Sequence, residues 1–217
     1  MKRVGVLGSG VVGTVLSNGF LKHGYSVRRG SRSPEKFDEW LETAGPHASG
    51  GTFKDAAAFG DLVVLAVNGT SAKAVLEALS PGLLDGKVVI DTTNPVLAEA
   101  PDNGVIRYAS DINQSLMETL QAARPEARFV KAFSCVGSAF MVNPDFPGGP
   151  PTMFICGNDE SARDQVSGIL DDFGWEVEDM GMAESARAIE PLAMLYCIPG
   201  FREHRWNHAF KILKTNG

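Results

Sequence analysis

A chain of 217 residues, 44% hydrophobic and 21% charged, is long enough for one domain, or one domain with a small appendage, around a substantial core. Its formal charge of −6 argues against a general nucleic-acid or anionic-membrane binder, and no apolar run approaches the ~20 residues of a membrane span. Cys135, Cys156 and Cys197 are odd in number and far apart, so neither a disulfide framework nor a zinc knuckle is indicated, and a reducing, cytoplasmic setting is expected. The first predicted strand begins almost at once, which leaves no room for a signal peptide.

Val4 to Leu7 reads as a buried strand. It breaks into Gly8-Ser9-Gly10-Val11-Val12-Gly13, a G-x-G-x-x-G, and the sequence then turns helical. Val12, Val15, Leu16, Gly19, Phe20 and His23 recur at helical spacing, and Gly24 is placed to end the helix. Strand, glycine turn and helix in that order form the context of a dinucleotide site. Gly8 permits the tight turn, Gly10 lets backbone approach a pyrophosphate, and Gly13 allows helix and strand to pack closely. The free N–H groups at the helix start then face the phosphates.

Tyr25 to Arg29 reads as the second strand and ends in Gly30-Ser31-Arg32-Ser33-Pro34. Ser33 as cap and Pro34 at the first position start a helix expected to reach Ala44. Gly51 to Phe53 is expected as a short third strand and Asp55 to Phe59 as a short helix. Asp61 to Val67 is a nearly unbroken apolar, β-branched run, the pattern of a strand buried on both faces of a parallel sheet. Ala72 to Leu79 reads as helix, and Lys87 to Thr93 as a strand closing on Asn94-Pro95.

Further on, residues 113–123 read as helix and Ala127 to Phe133 as strand. Val142 to Pro151, rich in Pro and Gly, is a loop. Thr152 to Cys156 reads as strand, Glu160 to Phe173 as helix and Trp175 to Asp179 as the last strand. This alternation predicts an α/β fold over residues 1–180, a doubly wound, mostly parallel sheet of the NAD(P)-binding Rossmann type. From Glu184 the pattern is only helical, with Ala188, Ile189, Leu192, Leu195 and Tyr196 on one face. Pro191 is expected to kink that helix, and Pro199-Gly200 to break it before a short helix from Trp206 to Leu213. Residues 181–217 thus form a small C-terminal helical element, a substrate cap or a dimer contact.

A NAD site places an acidic residue about 20 positions beyond the glycines to bind the ribose 2′-hydroxyl. Here no acidic residue precedes Glu35, and Gly30-Ser31-Arg32 stands at the expected place with Arg28, Arg29 and Lys36 nearby. A guanidinium beside a serine hydroxyl offers charge-assisted donors to a 2′-phosphate, so Ser31, Arg32 and Lys36 point to NADP(H) rather than NAD. Ala66, Val67 and Asn68 follow the fourth strand, and Asn94 with Pro95 the fifth. Open α/β sheets bind ligands outside the carboxyl ends of their strands, so these loops should flank the ribose and nicotinamide.

Gly8-Ser-Gly-Val-Val-Gly13 with Gly30-Ser-Arg32, Asp61-Leu-Val-Val-Leu-Ala-Val67 and Asp91-Thr-Thr-Asn-Pro95 resembles the family of NADP oxidoreductases dependent on the deazaflavin coenzyme F420. So do Val130-Lys-Ala-Phe133, Phe154-Ile-Cys-Gly157 and Ile189-Glu-Pro-Leu-Ala-Met194, which carries the likeness over nearly the whole chain. The resemblance implies a Rossmann domain, a small C-terminal element, a homodimer, and hydride exchange between NADP and a second redox ring. The same domain type is similar to the cytosolic part of membrane metalloreductases and, more distantly, to pyrroline-carboxylate reductases. It also implies that Gly8 to Gly13 hold the pyrophosphate, Ser31 and Arg32 the 2′-phosphate, and Ala66, Val67, Asn94 and Pro95 the ribose–nicotinamide wall. Ser134, Cys135, Val136 and Gly137 fall where the family places the second ring. Deazaflavin-reducing members carry a histidine where this chain has Ser134, so the acceptor stays open among deazaflavin, flavin and related small molecules.

Hydride transfer between two such rings is mostly a matter of proximity and orientation, and no catalytic acid or base is assigned. Cys135 has nothing basic beside it in sequence and is expected to be an inert thiol. Met194, Tyr196 and Trp206 are candidates to cap the pocket or simply to pack the core. His204 and His208 have chelating i, i+4 spacing, but no third ligand is marked out, and no metal site is assigned. Two other readings remain: a nucleotide-binding module without turnover, and a reductase of a small imine or carbonyl. Arg32→Ala is expected to weaken NADPH binding far more than NADH binding in titrations of the purified protein, and equal losses would remove the case for a 2′-phosphate site.

Overall fold

A computed structural model describes residues 2–215. Strands β1 (Arg3–Leu7), β2 (Ser26–Gly30), β3 (Ala48–Gly51), β4 (Leu62–Leu65), β5 (Val88–Asp91) and β6 (Arg128–Lys131) form one parallel sheet in the order β3-β2-β1-β4-β5-β6. Strands β7 (Thr152–Ile155) and β8 (Glu176–Asp179) pair with each other in parallel, and an antiparallel bridge from Lys131 to Cys156 joins them to β6. The predicted Rossmann architecture is therefore present, with the strand order reversing between β1 and β4.

Side chains alternate across the strands, so each strand feeds two apolar layers. Val4, Val6, Val64, Ile90 and Val130 face one way, against Leu16 and Phe20 of α1 (Val11–Lys22) and Val166 and Leu170 of α6 (Glu160–Asp172). Leu7, Val63, Leu65, Val89 and Phe129 face the other way. There they meet α3 (Phe53–Phe59), α4 (Gly69–Glu77), α5 (Leu116–Ala123) and the first half of α7 (Ala186–Glu203). Gly5 brings α3 down onto β1: a Cβ there would sit 2.0 Å from the Ala56 carbonyl oxygen.

Four local expectations are corrected. The third strand is Ala48–Gly51 rather than residues 51–53, and α3 begins two residues earlier than expected, at Phe53. Thr52 and Asp55 close a capping box there, which claims residues 52 and 53 for the helix start. Residues 34–44 split into a 3₁₀ turn, Pro34–Phe37, and α2 (Asp38–Ala44). The helix expected from 113 starts at Leu116, where Ser115 and Glu118 form a second capping box. Residues 96–110 form a loop closed by the bridges Val96–Tyr108 and Asp102–Val105.

The largest departure is at the C-terminal end. Helix α7 runs through both Pro191 and Pro199 to Glu203, because its inner face is already fixed by burial of Ala186, Ile189 and Glu190. The Glu190 carbonyl, next to Pro191, accepts from the Tyr108 hydroxyl at 2.7 Å. Residues 206–213, expected as a short helix, are irregular instead, with Trp206 and His208 packed on Tyr196 of α7 and residues 210–214 reaching the small sheet. Phe210 accepts from the Thr152 N–H, while Lys211 and Lys214 pair with Glu176 and Glu178 of β8, each at 2.6 Å.

Helices α5 and α7 are tied by Glu118, which accepts from the Ser115 N–H and hydroxyl at 2.8 Å each and pairs with Arg187. The Arg187 guanidinium is the main reason the Glu118 carboxyl sits at about 2, below its ordinary 4.5. A lowered folded-state pKa adds stability above the unfolded value, and that stability is lost as pH falls toward 2. Glu118→Gln should therefore be less stable than wild type near neutrality, by about 1 kcal/mol at this partly exposed pair. Urea midpoints of the two proteins should converge as the pH is lowered through the acid range.

Candidate functional site

Three glycines shape the turn between β1 and α1, each for a different reason. Gly8 has φ +149°, and a Cβ on it would lie 2.1 Å from the Ala66 carbonyl oxygen at the end of β4. A Cβ on Gly13 would strike the Gly8 carbonyl at 2.8 Å, so its absence sets the helix close to the strand. Gly10 is the N-cap of α1, and a Cβ there would meet nothing within 4 Å; the space beside it is open. No side chain caps this end and its first turn holds no acidic residue, which leaves the N–H groups free for an anion. Val11 stands exposed at the helix tip, whereas Val12 turns inward against the core.

This turn opens into a cleft of about 600 Å³ at the point where the strand order reverses. Gly8, Ser9, Gly10, Ser31, Arg32, Lys36, Ala66, Val67 and Asn68 all line it, so nine of the residues singled out from the sequence come together. No acidic side chain lines it among the described residues. Ser31 is buried and anchored by its N–H to the Gly51 carbonyl at 3.1 Å. Its hydroxyl oxygen accepts from the Ser33 N–H at 3.2 Å, so its proton remains available. Arg32 and Lys36 are exposed at the rim. Asn68 is partly committed elsewhere: its Oδ1 accepts from the Thr70 N–H and hydroxyl, capping α4.

Asn94 and Pro95 do not line that cleft. They lie at the carboxyl end of β5, and the start of α4 packs on them so tightly that a Cβ on Gly69 would sit 1.9 Å from the Asn94 carbonyl oxygen. The Asn94 Nδ2 donates to the Ser134 carbonyl at 2.6 Å, which joins the ends of β5 and β6. The Asn94 Oδ1 and the Ser134 hydroxyl are both buried with no hydrogen-bond partner among the described residues. Ser134, Cys135 and Val136 are buried, and Gly137 lies under the Tyr196 hydroxyl, 2.4 Å from where its Cβ would be. Phe133, immediately before them, has φ +61°, a left-handed conformation that a bulky side chain adopts only at a cost. Burial pushes the Cys135 thiol up to about 12, so it stays protonated at neutral pH.

Beneath these strand ends sits a group that sequence reasoning missed. Lys131 Nζ lies 2.7 Å from Asp91 Oδ2 and 2.9 Å from Glu190 Oε1, and it donates to the Thr93 carbonyl at 2.7 Å. All three side chains are essentially inaccessible to solvent. Asp91 also accepts from the Thr93 N–H and hydroxyl, and Glu190 from the N–H groups of Leu116 and Met117 at the start of α5. Burial acts to lower the Lys131 pKa, but the two carboxylates outweigh it and the net direction is upward. The signal was there to be read: each residue interrupts an apolar pattern, Lys131 after Phe129-Val130, Asp91 after Val88-Val89-Ile90, Glu190 beside Ile189.

Of the remaining candidates, Tyr196 is buried, donates to the Trp206 carbonyl at 2.9 Å and stacks on His208 at 4.3 Å. His204 ends α7 with φ +54° and His208 lies beyond it, so the two do not share a helix face. Met194 lines a second cavity of about 580 Å³ between the 97–112 loop and α7, with Tyr108, Pro191 and Glu190 in its wall.

The model of the family described as NADP oxidoreductase, coenzyme F420-dependent, matches residues 3–95, from β1 through the Asn94-Pro95 turn. The metalloreductase STEAP3 of Rattus norvegicus is 30% identical over 197 residues, which is 89% of this chain and 37% of that protein. The chain thus spans little more than a third of the curated relatives it matches. A crystal structure of a protein from Arthrobacter sp. FB24, proposed to be an F420-dependent NADP reductase, is 31% identical with a TM-score of 0.91, covering 99% of this chain and 100% of the other. The reductive aminase of Aspergillus terreus in complex with NADPH shares the fold alone, at 18% identity and a TM-score of 0.65 over 92% of this chain and 62% of that one.

Lys131→Met should strand two buried carboxylates and cost roughly 3–5 kcal/mol of stability in chemical denaturation, since removing one partner of a buried pair leaves the others uncompensated. A loss under about 1 kcal/mol would show that solvent reaches the site.

Proposed function

This chain belongs to the family of coenzyme F420-dependent NADP oxidoreductases, and on that premise we propose that it exchanges a hydride between NADP(H) and a deazaflavin, a flavin or a similar small redox acceptor. The observation that carries the reading is the cleft over the β1–β4 switch point, which has open space and free N–H groups at Gly10 and basic side chains, with no acidic one, at the β2 end. These features fit a phosphorylated dinucleotide. The start of α1 holds the pyrophosphate, Ser31 donates its hydroxyl to the 2′-phosphate, and Arg32 and Lys36 close on it from the rim. A nicotinamide bound at the far end supplies or accepts the hydride.

The chain's own contribution at that end is positional. Asn94 is fixed by its bond to the Ser134 carbonyl, and its Oδ1 and the Ser134 hydroxyl are buried and unpartnered among the described residues. Unpartnered buried polar atoms are costly, and both would have to become accessible before a carboxamide or a ribose hydroxyl could satisfy them. Val136 and Gly137 extend the wall on which an acceptor ring would lie. Cys135 remains a neutral thiol, so no covalent step passes through it. Hydride exchange between two rings needs alignment rather than a proton donor, and rigid strand ends supply alignment.

The same reading includes a homodimer in the cytoplasm, with residues 181–217 as cap or dimer contact. Leu195 and Phe201 on α7 are 56% and 46% exposed, and these apolar groups support a face for a second copy. Purified protein with NADPH should be screened against the deazaflavin coenzyme, flavins, quinones and ferric chelates by following nicotinamide absorbance. Oxidation is expected with at least one flavin-like acceptor. NADPH binding without oxidation by any of them would favour a binding module instead.

A further inference from the structure

Strand β2 carries adjacent arginines that point to opposite faces of the sheet and meet opposite fates. Arg28 lies on the α3 side, where its Nε donates to the Ser49 hydroxyl at 3.0 Å and its guanidinium sits 4.8 Å from the Phe59 ring. Arg29 faces α1 and α2 and is 2% exposed. Its guanidinium carbon is 4.8 Å from the ring centroids of both Phe37 and Trp40, and Trp40 is itself pinned to α1 by a 2.8 Å bond to Asn18 Oδ1. Among the described residues no carboxylate lies within 4 Å of it. Its Nε is buried without a partner, and its one hydrogen bond runs from Nη2 to the Gly10 carbonyl at 3.5 Å.

A buried cation with no anion is among the costliest things a core can hold. The two aromatic faces offset part of that cost. Burial lowers the group to about 10, which still leaves it charged at neutral pH. Its neighbours on this face, Val4, Val6 and Val27, form an ordinary apolar core in which Met or Leu would fill the same space with no charge to bury. The charge is therefore maintained where nothing in the chain itself calls for it. It lies directly behind Gly10, the uncapped N-terminus of α1, whose other side opens into the cleft.

Resting on the NADP(H) reading above, we propose that Arg29 is the buried counter-charge of the dinucleotide's pyrophosphate, acting through the Gly10 peptide that it braces from behind. It is a positioning residue, not a catalytic one. Its place in the low-dielectric interior makes its field on the phosphates stronger and less screened by salt than that of exposed Arg32 or Lys36. The two ends of the cleft then divide the labour. Arg32 and Ser31 tell NADP from NAD, and Arg29 serves the pyrophosphate common to both.

The test uses the intact protein with Arg29→Met, Arg29→Gln and Arg29→Lys. The readouts are the thermal midpoint without ligand and the dissociation constants of NADPH and NADH at low and high salt. Removing the charge should weaken both dinucleotides by about tenfold or more and by similar factors, with the loss persisting at high salt. Arg29→Met should leave the ligand-free midpoint unchanged or raised, and Arg29→Lys should recover part of the affinity. A lowered midpoint with unchanged affinities in the Met and Gln variants would make Arg29 a structural stack and overturn the proposal. A loss confined to NADPH would overturn it too, by moving Arg29 to the 2′-phosphate. Wild-type protein that binds neither dinucleotide would instead remove the NADP(H) reading beneath it.

Discussion

The ion cluster of Lys131, Asp91 and Glu190 is the constraint on which the carboxyl ends of β5 and β6 depend. One ammonium group is ion-paired with two carboxylates and donates to the Thr93 carbonyl. Through those bonds it fixes β5 to β6, α7 to α5, and the Thr93-Asn94 turn to the sheet. Such a cluster contributes little net stability relative to an apolar filling, but it accepts only one arrangement of the elements that meet there. Asn94 and Ser134 inherit their positions from it, each lying three residues beyond a cluster member that ends its strand.

Two buried cations in one domain are handled in opposite ways. The Lys131 ammonium is surrounded by acceptors supplied by the chain, and its two carboxylates are further bonded to backbone N–H groups. The Arg29 guanidinium has two ring faces and one long bond to a carbonyl. The first cation is ion-paired within the protein and belongs to its architecture. The second arrangement is incomplete, and it stands behind the helix end where an anion binds in folds of this type.

The glycine turn was legible because every part of its signal is local. A run of buried residues, three glycines with separate steric duties and a helical period follow one another within 25 positions. Strand β3 was misplaced because Ala48-Ser49-Gly50-Gly51 has no propensity to read; pairing with β2 makes it a strand, and Phe37 packs on Gly50, 3.0 Å from where a Cβ would be. The prolines of α7 misled in the other direction, since burial of its inner face outweighs two missing N–H groups. Arg29 was grouped with a basic turn because sequence gives a residue's charge but not which side of a strand it takes. The positive φ of Phe133 leaves no trace in composition at all.

Strand β8 has one partner, β7, so its outer side is a sheet edge of the kind through which chains polymerise. Its sequence is Glu176-Val177-Glu178-Asp179, three acids in four residues. Each of the three acids is already paired within the molecule, with Lys211, Lys214 and Arg163, so a strand docking along this edge would have to displace or accommodate a row of ion pairs.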